Sequence, residues 1–396
     1  MASPLRCVTF NVNACLSAEL GYRVAGMAGH FIQSLPVMLD VGTENETYLR
    51  DPLYLGVRRP RVRGQAYDDF VDEFITAVHE VWPKCLIQFE DFANINAFRL
   101  LERYRTKVCT FNDDIQGTAS VTLAGILSAL RFTGKRLSEQ RILFLGAGEA
   151  GIGIGDLIAN AMTEDGLSLE EARQRCSFVD SKGLVVKSRT DLASHKLHYA
   201  HDVPGCPDLL SAIHALKPTA LIGVSTISKA FNREVVEAMG RYNERPIVFA
   251  LSNPTSKAEC SAEEAYGWTQ GRAIYASGSP FPPVTYGGRV FIPGQGNNAY
   301  IFPGVGLGVV ACEVRQVSNR MFSAAARALA EQVLGSDLEI GRVYPSLKRI
   351  QEVSANIAAA VAAVAYEEGT AGVPRPGDLL AHVRSRMWKP EYRTYV

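Results

Sequence analysis

Two pairs of neighbouring acids stand at the ends of apolar runs. Leu86-Ile87-Gln88-Phe89 stops at Glu90-Asp91, and Val108-Cys109-Thr110-Phe111 stops at Asn112-Asp113-Asp114. Adjacent carboxylates repel one another unless a cation or solvent relieves them. Because α/β sheets open their sites at the carboxyl ends of strands, both acidic pairs can face one crevice. A ligand set made only of oxygens points to Mg2+ or Mn2+ rather than zinc. The competing reading is helix N-capping, since Asp114 precedes a helical stretch.

A second constellation follows the apolar run Arg141-Ile142-Leu143-Phe144-Leu145, which enters Gly146-Ala147-Gly148-Glu149-Ala150-Gly151 and then a helix-compatible run through Ile158. In this context Gly146 permits the tight turn, Gly148 lets the backbone approach a pyrophosphate, and Gly151 allows close helix packing. Glu149 and Ala150 open the helix whose N-terminus supplies partial positive charge. Downstream, Ser177-Phe178-Val179 ends in Asp180-Ser181-Lys182, where a second strand delivers a carboxylate to the adenosine ribose. Asp180 alone suggests NAD. Ser181, Lys182 and Lys196 can hydrogen-bond and neutralise a 2′-phosphate, which favours NADP, with NAD as the alternative. The plainer alternative is that these lysines solvate a surface loop.

Positioning such groups requires parallel strands and crossover helices, and the chain supplies that rhythm: short β-rich runs alternate with helix-length amphipathic segments. The fold class is α/β. Strands are expected at Leu35–Val41, Cys85–Phe89, Val108–Phe111, Arg141–Leu145, Ser177–Val179, Ala220–Val224 and Ile247–Leu251, with helices at Tyr67–Val81, Ile95–Tyr104 and Thr118–Leu130. Residues 1–34 read as an atypical N-terminus. Residues 35–113 and 298–365 read as a second αβ domain for metal and substrate, completed by C-terminal helices. Residues 114–297 read as a Rossmann-type NAD(P)-binding domain, and 366–396 as a C-terminal tail entered by the Pro- and Gly-containing loop Thr370–Gly377.

Composition narrows the class. Lys and Arg total 41 against 41 Asp and Glu, so no net field draws the chain to nucleic acid or an anionic membrane. The eight cysteines are scattered without metal-finger spacing, as expected of reduced thiols. No apolar run reaches the roughly 18 residues a membrane span needs, and Asn356–Tyr366 reads as a packed core helix. The first residues lack a signal-peptide layout, so a cytoplasmic location is expected, with mitochondrion or plastid as alternatives.

Several long strings, taken in order, resemble the signature blocks of malic enzymes. They are Leu35-Pro36-Val37-Met38-Leu39-Asp40-Val41-Gly42-Thr43, Asp51-Pro52-Leu53-Tyr54, Gln88-Phe89-Glu90-Asp91-Phe92 and Phe111-Asn112-Asp113-Asp114-Ile115-Gln116-Gly117-Thr118. The match continues through Gly146-Ala147-Gly148-Glu149-Ala150, Val179-Asp180-Ser181-Lys182-Gly183-Leu184, Leu251-Ser252-Asn253-Pro254-Thr255 and Gly294-Gln295-Gly296-Asn297-Asn298. The resemblance implies that Glu90, Asp91 and Asp114 hold the divalent metal and that Asp113 hydrogen-bonds a catalytic lysine. It implies that Asn253 and Asn298 hold malate, for which ordinary turn chemistry is the alternative. Lys182 and Lys196, beside Ser181, fall where NADP-preferring members resemble one another. The implied reaction is oxidative decarboxylation of malate to pyruvate and CO2 with reduction of NADP, and the implied partners are malate, pyruvate and further copies in dimers or tetramers.

Upstream of Leu35 the pattern departs. The family's Tyr-Thr-Pro-Thr block, with its catalytic tyrosine, and its substrate-gripping arginine have no counterpart, and Glu19-Leu20 stands where the base lysine is expected. Tyr22 and Arg23 are the neighbouring candidates to replace them. The expectation is therefore double: an NADP-dependent malic enzyme, or an impaired subunit that still binds NADP and metal. A lost general acid or base costs roughly 10²- to 10⁴-fold each. A Rossmann dehydrogenase of another kind leaves the two acidic pairs without a task.

Overall fold

The computed structural model describes residues 7–11 and 34–387, and the expectations for Glu19, Tyr22 and Arg23 fall outside the described residues. The chain divides into two compact units.

The first unit contains residues up to Asp114, Phe302–Met321 and the stretch from Ser354 onward. Its sheet has four parallel strands in the order β2-β1-β3-β4, with β1 at Cys7–Asn11, β2 at Ser34–Met38, β3 at Leu86–Glu90 and β4 at Thr110–Asn112. Every residue of β3 and β4 is buried, as expected of parallel strands covered on both faces. Helix α1 (Gln65–Val81) turns Tyr67, Val71, Ile75 and Val78 inward at helical spacing. Helix α2 (Asn94–Tyr104) follows β3 and makes the crossover to β4. The register pairs Phe89 with Asn112, so the residues that follow, Glu90-Asp91 and Asp113-Asp114, leave neighbouring strands at one edge.

The second unit contains Ile115–Ile301 and Phe322–Val353. Its seven-stranded sheet runs β13-β10-β9-β8-β5-β6-β7, with β5 at Ile142–Leu145, β6 at Cys176–Asp180, β7 at Gly183–Leu184, β8 at Ala220–Gly223, β9 at Ile247–Ala250, β10 at Ile274–Ser277 and β13 at Gly294–Gln295. All pairings are parallel except β6 with β7. Strand β5 lies between β6 and β8, so connections leave it in both directions and open a crevice beyond its carboxyl end. The largely buried helix α3 (Thr118–Thr133) precedes β5, and α4 (Glu149–Glu164) follows it. A two-stranded hairpin, β11 (Val284–Tyr286) with β12 (Arg289–Phe291), lies between β10 and β13.

Two boundaries differ from the sequence expectation. Residues 298–301, with Asn298, and 322–353, all expected within the 298–365 part of the metal and substrate domain, pack in the second unit. Tyr344 is wholly enclosed and donates to the Val121 carbonyl at 3.0 Å, while Arg131 of α3 donates to the Ala330 and Val333 carbonyls. The stretch expected as a tail also packs in its own unit. The helix Leu379–Arg386, capped by Asp378, buries Val383 completely and sets the His382 ring 3.0 Å from the Ala311 carbonyl. Sequence reasoning named none of β1, β7, β10, β11, β12 and β13. Strands β7 and β13 hold two residues each and β11 and β12 three, too few to display an alternation.

Candidate functional site

In the first unit, one carboxylate oxygen from each of Glu90, Asp91 and Asp114 falls within 4.8 Å of the others. The adjoining strand ends deliver them, and the local backbone completes the turn. Asp91 adopts a left-handed conformation, φ 56°, unusual for a residue with a side chain. Its amide donates to Asp114 Oδ2 at 2.7 Å. Asp113 and Asp114 begin a π-helical turn, Asp113–Gly117, ahead of α3, whose cap position is Gly117. Asp114 thus serves the Asp91 amide across the strand gap, and the N-capping alternative for Asp114 is not the arrangement found.

Electrostatics at this cluster are adverse for bare carboxylates. Burial pushes Glu90 well above the usual carboxylate range, and the Asp114 charge adds to the effect, against the Gln88 side-chain hydrogen bond that favours ionisation. Burial and the Asp91 charge raise Asp114 to about 6, although the Asp91 amide opposes them. Asp113 is fully enclosed and also pushed well up, by burial first and the neighbouring Glu90 charge second, and it shares a hydrogen bond with Glu90. The lysine expected to pair with Asp113 maps to Glu19, outside the described residues.

The cluster also borders open space. Asp91 lines a cavity of about 820 Å³ together with Thr43, Arg61, Arg63, Tyr67 and Arg99. Arg63 pairs with Glu44 and Arg99 with Asp68, each at 2.6 Å. Sequence reasoning missed these arginines because they arrive from a loop and a helix that carry no motif.

In the second unit, the glycine-rich turn sits at the reversal point of the sheet. Gly146 has φ 114°, and a Cβ there would lie 2.7 Å from the Val224 carbonyl oxygen, so glycine is required on both counts. Gly148 holds the cap position of α4 without a side-chain hydrogen bond, and a Cβ on it would meet only open space. The first turn of α4 therefore offers its amides outward, as an anion-binding helix end does. A Cβ at Gly151 would run into the Gly146 carbonyl. Glu149 is raised by burial against the opposing pull of His195, and one of its carboxyl oxygens is buried without a hydrogen-bond partner among the described residues.

At the end of β6, Asp180 accepts from Lys196 Nζ at 2.6 Å, from Arg189 at 2.8 and 3.2 Å, and from the Lys182 amide at 2.9 Å. Burial alone pushes Asp180 up, but the hydrogen bonds from Arg189, Lys196 and the Lys182 amide outweigh it and hold the carboxyl at about 2. Lys182 Nζ turns to Asp191 at 2.8 Å and stays 67% exposed, and Arg189 also grips Asp191 at 3.0 Å. Ser181 is exposed beside them. Among the described residues, the ion pairs of Lys182, Arg189 and Lys196 go to Asp180 and Asp191, three cations against two carboxylates. Arg189 is the group that sequence reasoning missed. The C-terminal side of β6 carries no spacing rule that returns an arginine nine residues on, as the structure does here.

Asn253 is exposed beyond β9, and Asn298 is half-buried in the turn after β13, both past the carboxyl ends of strands in the sheet whose β5 and β6 lead to Gly146 and Asp180. The turn-capping role goes to Asn297, whose side chain accepts from the Ala299 amide.

Comparison with known proteins places this geometry in a family. The profile described as "Malic enzyme, NAD binding domain" matches residues 115–366, and "Malic enzyme, N-terminal domain" matches residues 22–105. The chain is 54% identical to the NADP-dependent malic enzyme of Columba livia over 92% of its own length and 66% of that protein. It is 55% identical to the NADP-dependent malic enzyme of Homo sapiens over 91% of its length and 64% of that protein. The chain thus spans about two thirds, or slightly less, of these relatives. The crystal structure of Entamoeba histolytica malic enzyme shares the fold, with a TM-score of 0.73 at 23% identity, covering 96% of this chain and 73% of that one. With one profile spanning well over half its residues, the chain belongs to the malic enzyme family.

Proposed function

We propose that this chain performs the divalent-metal-dependent oxidative decarboxylation of L-malate to pyruvate and CO2 with reduction of NADP. The observation that carries the reading is the cluster of Glu90, Asp91 and Asp114, with ligand oxygens within 4.8 Å of one another.

The residues fit a hard divalent cation. The donors are all oxygens, they converge from two strand ends, and the two raised carboxyls are those a nearby positive charge relieves. Mg2+ or Mn2+ suits this donor set. When bound, the ion supplies Lewis acidity toward the substrate's oxygens. The protein's own contribution is to keep the three carboxylates in register and to hold a proton on Asp113, which burial and the Glu90 charge keep neutral above the usual carboxylate range. Asn253 and Asn298 present neutral amides suited to a carboxylate of malate.

The cofactor assignment rests on charge at the end of β6. Because Arg189, Lys196 and the Lys182 amide already occupy Asp180, that carboxylate is poorly placed to accept a ribose hydroxyl. The positive surplus of Lys182, Arg189 and Lys196 instead suits a 2′-phosphate, which favours NADP over NAD. Gly146, Gly148, Glu149, Ala150 and Gly151 would hold the pyrophosphate at the start of α4. Ser181 adds a hydroxyl to the phosphate-binding group.

A second reading, an NADP- and metal-binding subunit with impaired turnover, rests only on Glu19 standing in the sequence where the resemblance expects the base lysine. One experiment separates the two: NADPH formation from malate in the presence of Mn2+, with NADPH and Mn2+ affinities measured on the same preparation. Turnover abolished by EDTA supports the enzyme. Binding of both ligands without turnover supports the subunit, and failure to bind either ligand overturns both. We further propose assembly into dimers or tetramers, which sedimentation tests, and a cytoplasmic location. No described helix is long and apolar enough to cross a membrane.

A further inference from the structure

Glu259 is completely buried, yet none of the roles above uses it. It lies between the short turn Thr255–Lys257 and the helix Ala262–Trp268, in a segment whose backbone is fastened on both sides. The Lys229 amide donates to the Ala258 carbonyl, the Phe231 amide to that of Glu259, and the Tyr275 hydroxyl to that of Cys260. The carboxylate therefore has little freedom to relax. Among the described residues no lysine, arginine or histidine forms an ion pair with it; Lys229 goes to Glu264 instead.

Its partners are two turns at the sheet's carboxyl edge. Oε1 accepts from the Ser225 amide at 3.2 Å, from the Ser225 hydroxyl at 3.4 Å and from the Ser252 hydroxyl; Oε2 accepts from the Ser252 amide at 3.3 Å. The Ser252 hydroxyl in turn accepts from the Thr226 amide at 2.9 Å, which closes the circuit, and Thr226 adopts φ 58° there. Room for the carboxylate is made by Gly223, the last residue of β8, where a Cβ would sit 2.6 Å from Glu259 Cγ.

These turns are not remote from the proposed chemistry. Ser225 follows Val224, whose carbonyl packs against Gly146 of the glycine-rich turn. Ser252 precedes Asn253. We infer that Glu259 is a positioning residue, whose buried carboxylate sets the 224–226 and 252–253 turns and so fixes both the floor of the nucleotide crevice and the Asn253 amide. A buried carboxyl that accepts from this many donors is costly to disturb, because removing one acceptor oxygen leaves several of them unsatisfied. The inference rests on the functional reading only for what the turns hold, not for what sets them.

The test uses the full chain and the isosteric variant Glu259→Gln, whose amide presents a donor to the Ser252 N–H. Hydrogen–deuterium exchange without ligand should quicken at least tenfold in 224–227 and 252–254 while strands β5 and β9 stay protected. NADPH affinity, read by fluorescence titration, should fall at least fivefold with the thermal midpoint within a few degrees of the parent. Unchanged exchange at the two turns overturns the inference, as does unchanged NADPH affinity when exchange has quickened. If Glu259→Gln does not fold, Ser225→Ala with Ser252→Ala removes the hydroxyl donors, and the same two outcomes decide. Parent protein that does not bind NADPH refutes the functional reading, and the exchange measurement still decides whether Glu259 sets the turns.

Discussion

The clearest consequence of the acidic cluster is a substitution whose effect reverses with metal. In the fold, burial and the Asp91 charge raise the Asp114 carboxyl to about 6 from an ordinary 3.8. A carboxyl raised in the folded state stabilises through its neutral form. That contribution is complete below the unfolded value of 3.8 and is lost as pH rises through about 6. At about 1.36 kcal/mol per pH unit, ionising Asp114 at neutral pH opposes folding by on the order of 3 kcal/mol. Asp114→Asn removes that charge and keeps an oxygen for the Asp91 amide, which now donates at 2.7 Å. In EDTA near neutral pH the variant should therefore melt above the parent. For a unit of this size roughly 2–4 °C accompanies each kcal/mol, so the rise should be roughly 6–12 °C. The rise should vanish near pH 4, where the parent's own carboxyl is neutral. With Mn2+ at about a hundred times its dissociation constant, the parent gains about 2.7 kcal/mol and the variant, short of one ligand, should gain little. Differential scanning fluorimetry in EDTA and in Mn2+, at both pH values, reads all four quantities. A variant that melts at or below the parent in EDTA near neutral pH, or that gains as much from Mn2+, refutes the reasoning.

Three further outcomes follow from the second unit. Arg189→Met removes the main competitor of burial at Asp180, so that carboxyl should titrate above its present value of about 2, as two-dimensional NMR of the aspartate can show. In the same variant NADPH affinity should fall at least tenfold while NADH affinity changes by less than threefold, since a guanidinium opposite a phosphate is a strong charge-assisted partner. Equal losses would discredit the 2′-phosphate assignment. Gly146→Val places a Cβ against the Val224 carbonyl at φ 114°; we expect a cost of about 1–3 kcal/mol in urea unfolding and loss of detectable NADPH binding. Tyr344→Phe removes one enclosed hydroxyl that donates to Val121 and should cost about 1 kcal/mol without altering NADPH affinity; an altered affinity would tie residues 322–353 to the cofactor site.

Much of the site was legible because parallel strands end where their chemistry begins. Apolar runs stopping at Glu90-Asp91 and Asn112-Asp113-Asp114 identify β3 and β4, and the carboxyl-edge rule then brings the acids to one side. The glycine-rich turn was equally readable, since a positive φ and a close backbone approach at Gly146 admit few other residues. Less was readable at Asp180. Lys182, adjacent in sequence, spends its ammonium on Asp191, while Arg189, which carries no motif, makes the paired contact. Glu259 lay in an ordinary helix-entry stretch and gave no signal at all, because its partners Ser225 and Ser252 come from two other strands.

Local pattern by itself determined the α/β class, seven of the strands, the acidic strand ends and the glycine-rich turn, since each depends on residues within one strand and the few that follow it. Tertiary structure alone decided which charges meet: the Asp91 amide on Asp114, Arg189 on Asp180, Glu259 under two turns, and residues 322–353 beside α3. The reason is physical. A pKa, an ion pair or a buried hydrogen bond depends on distances across strands and on exclusion of water, and neither quantity exists until the chain has closed around them.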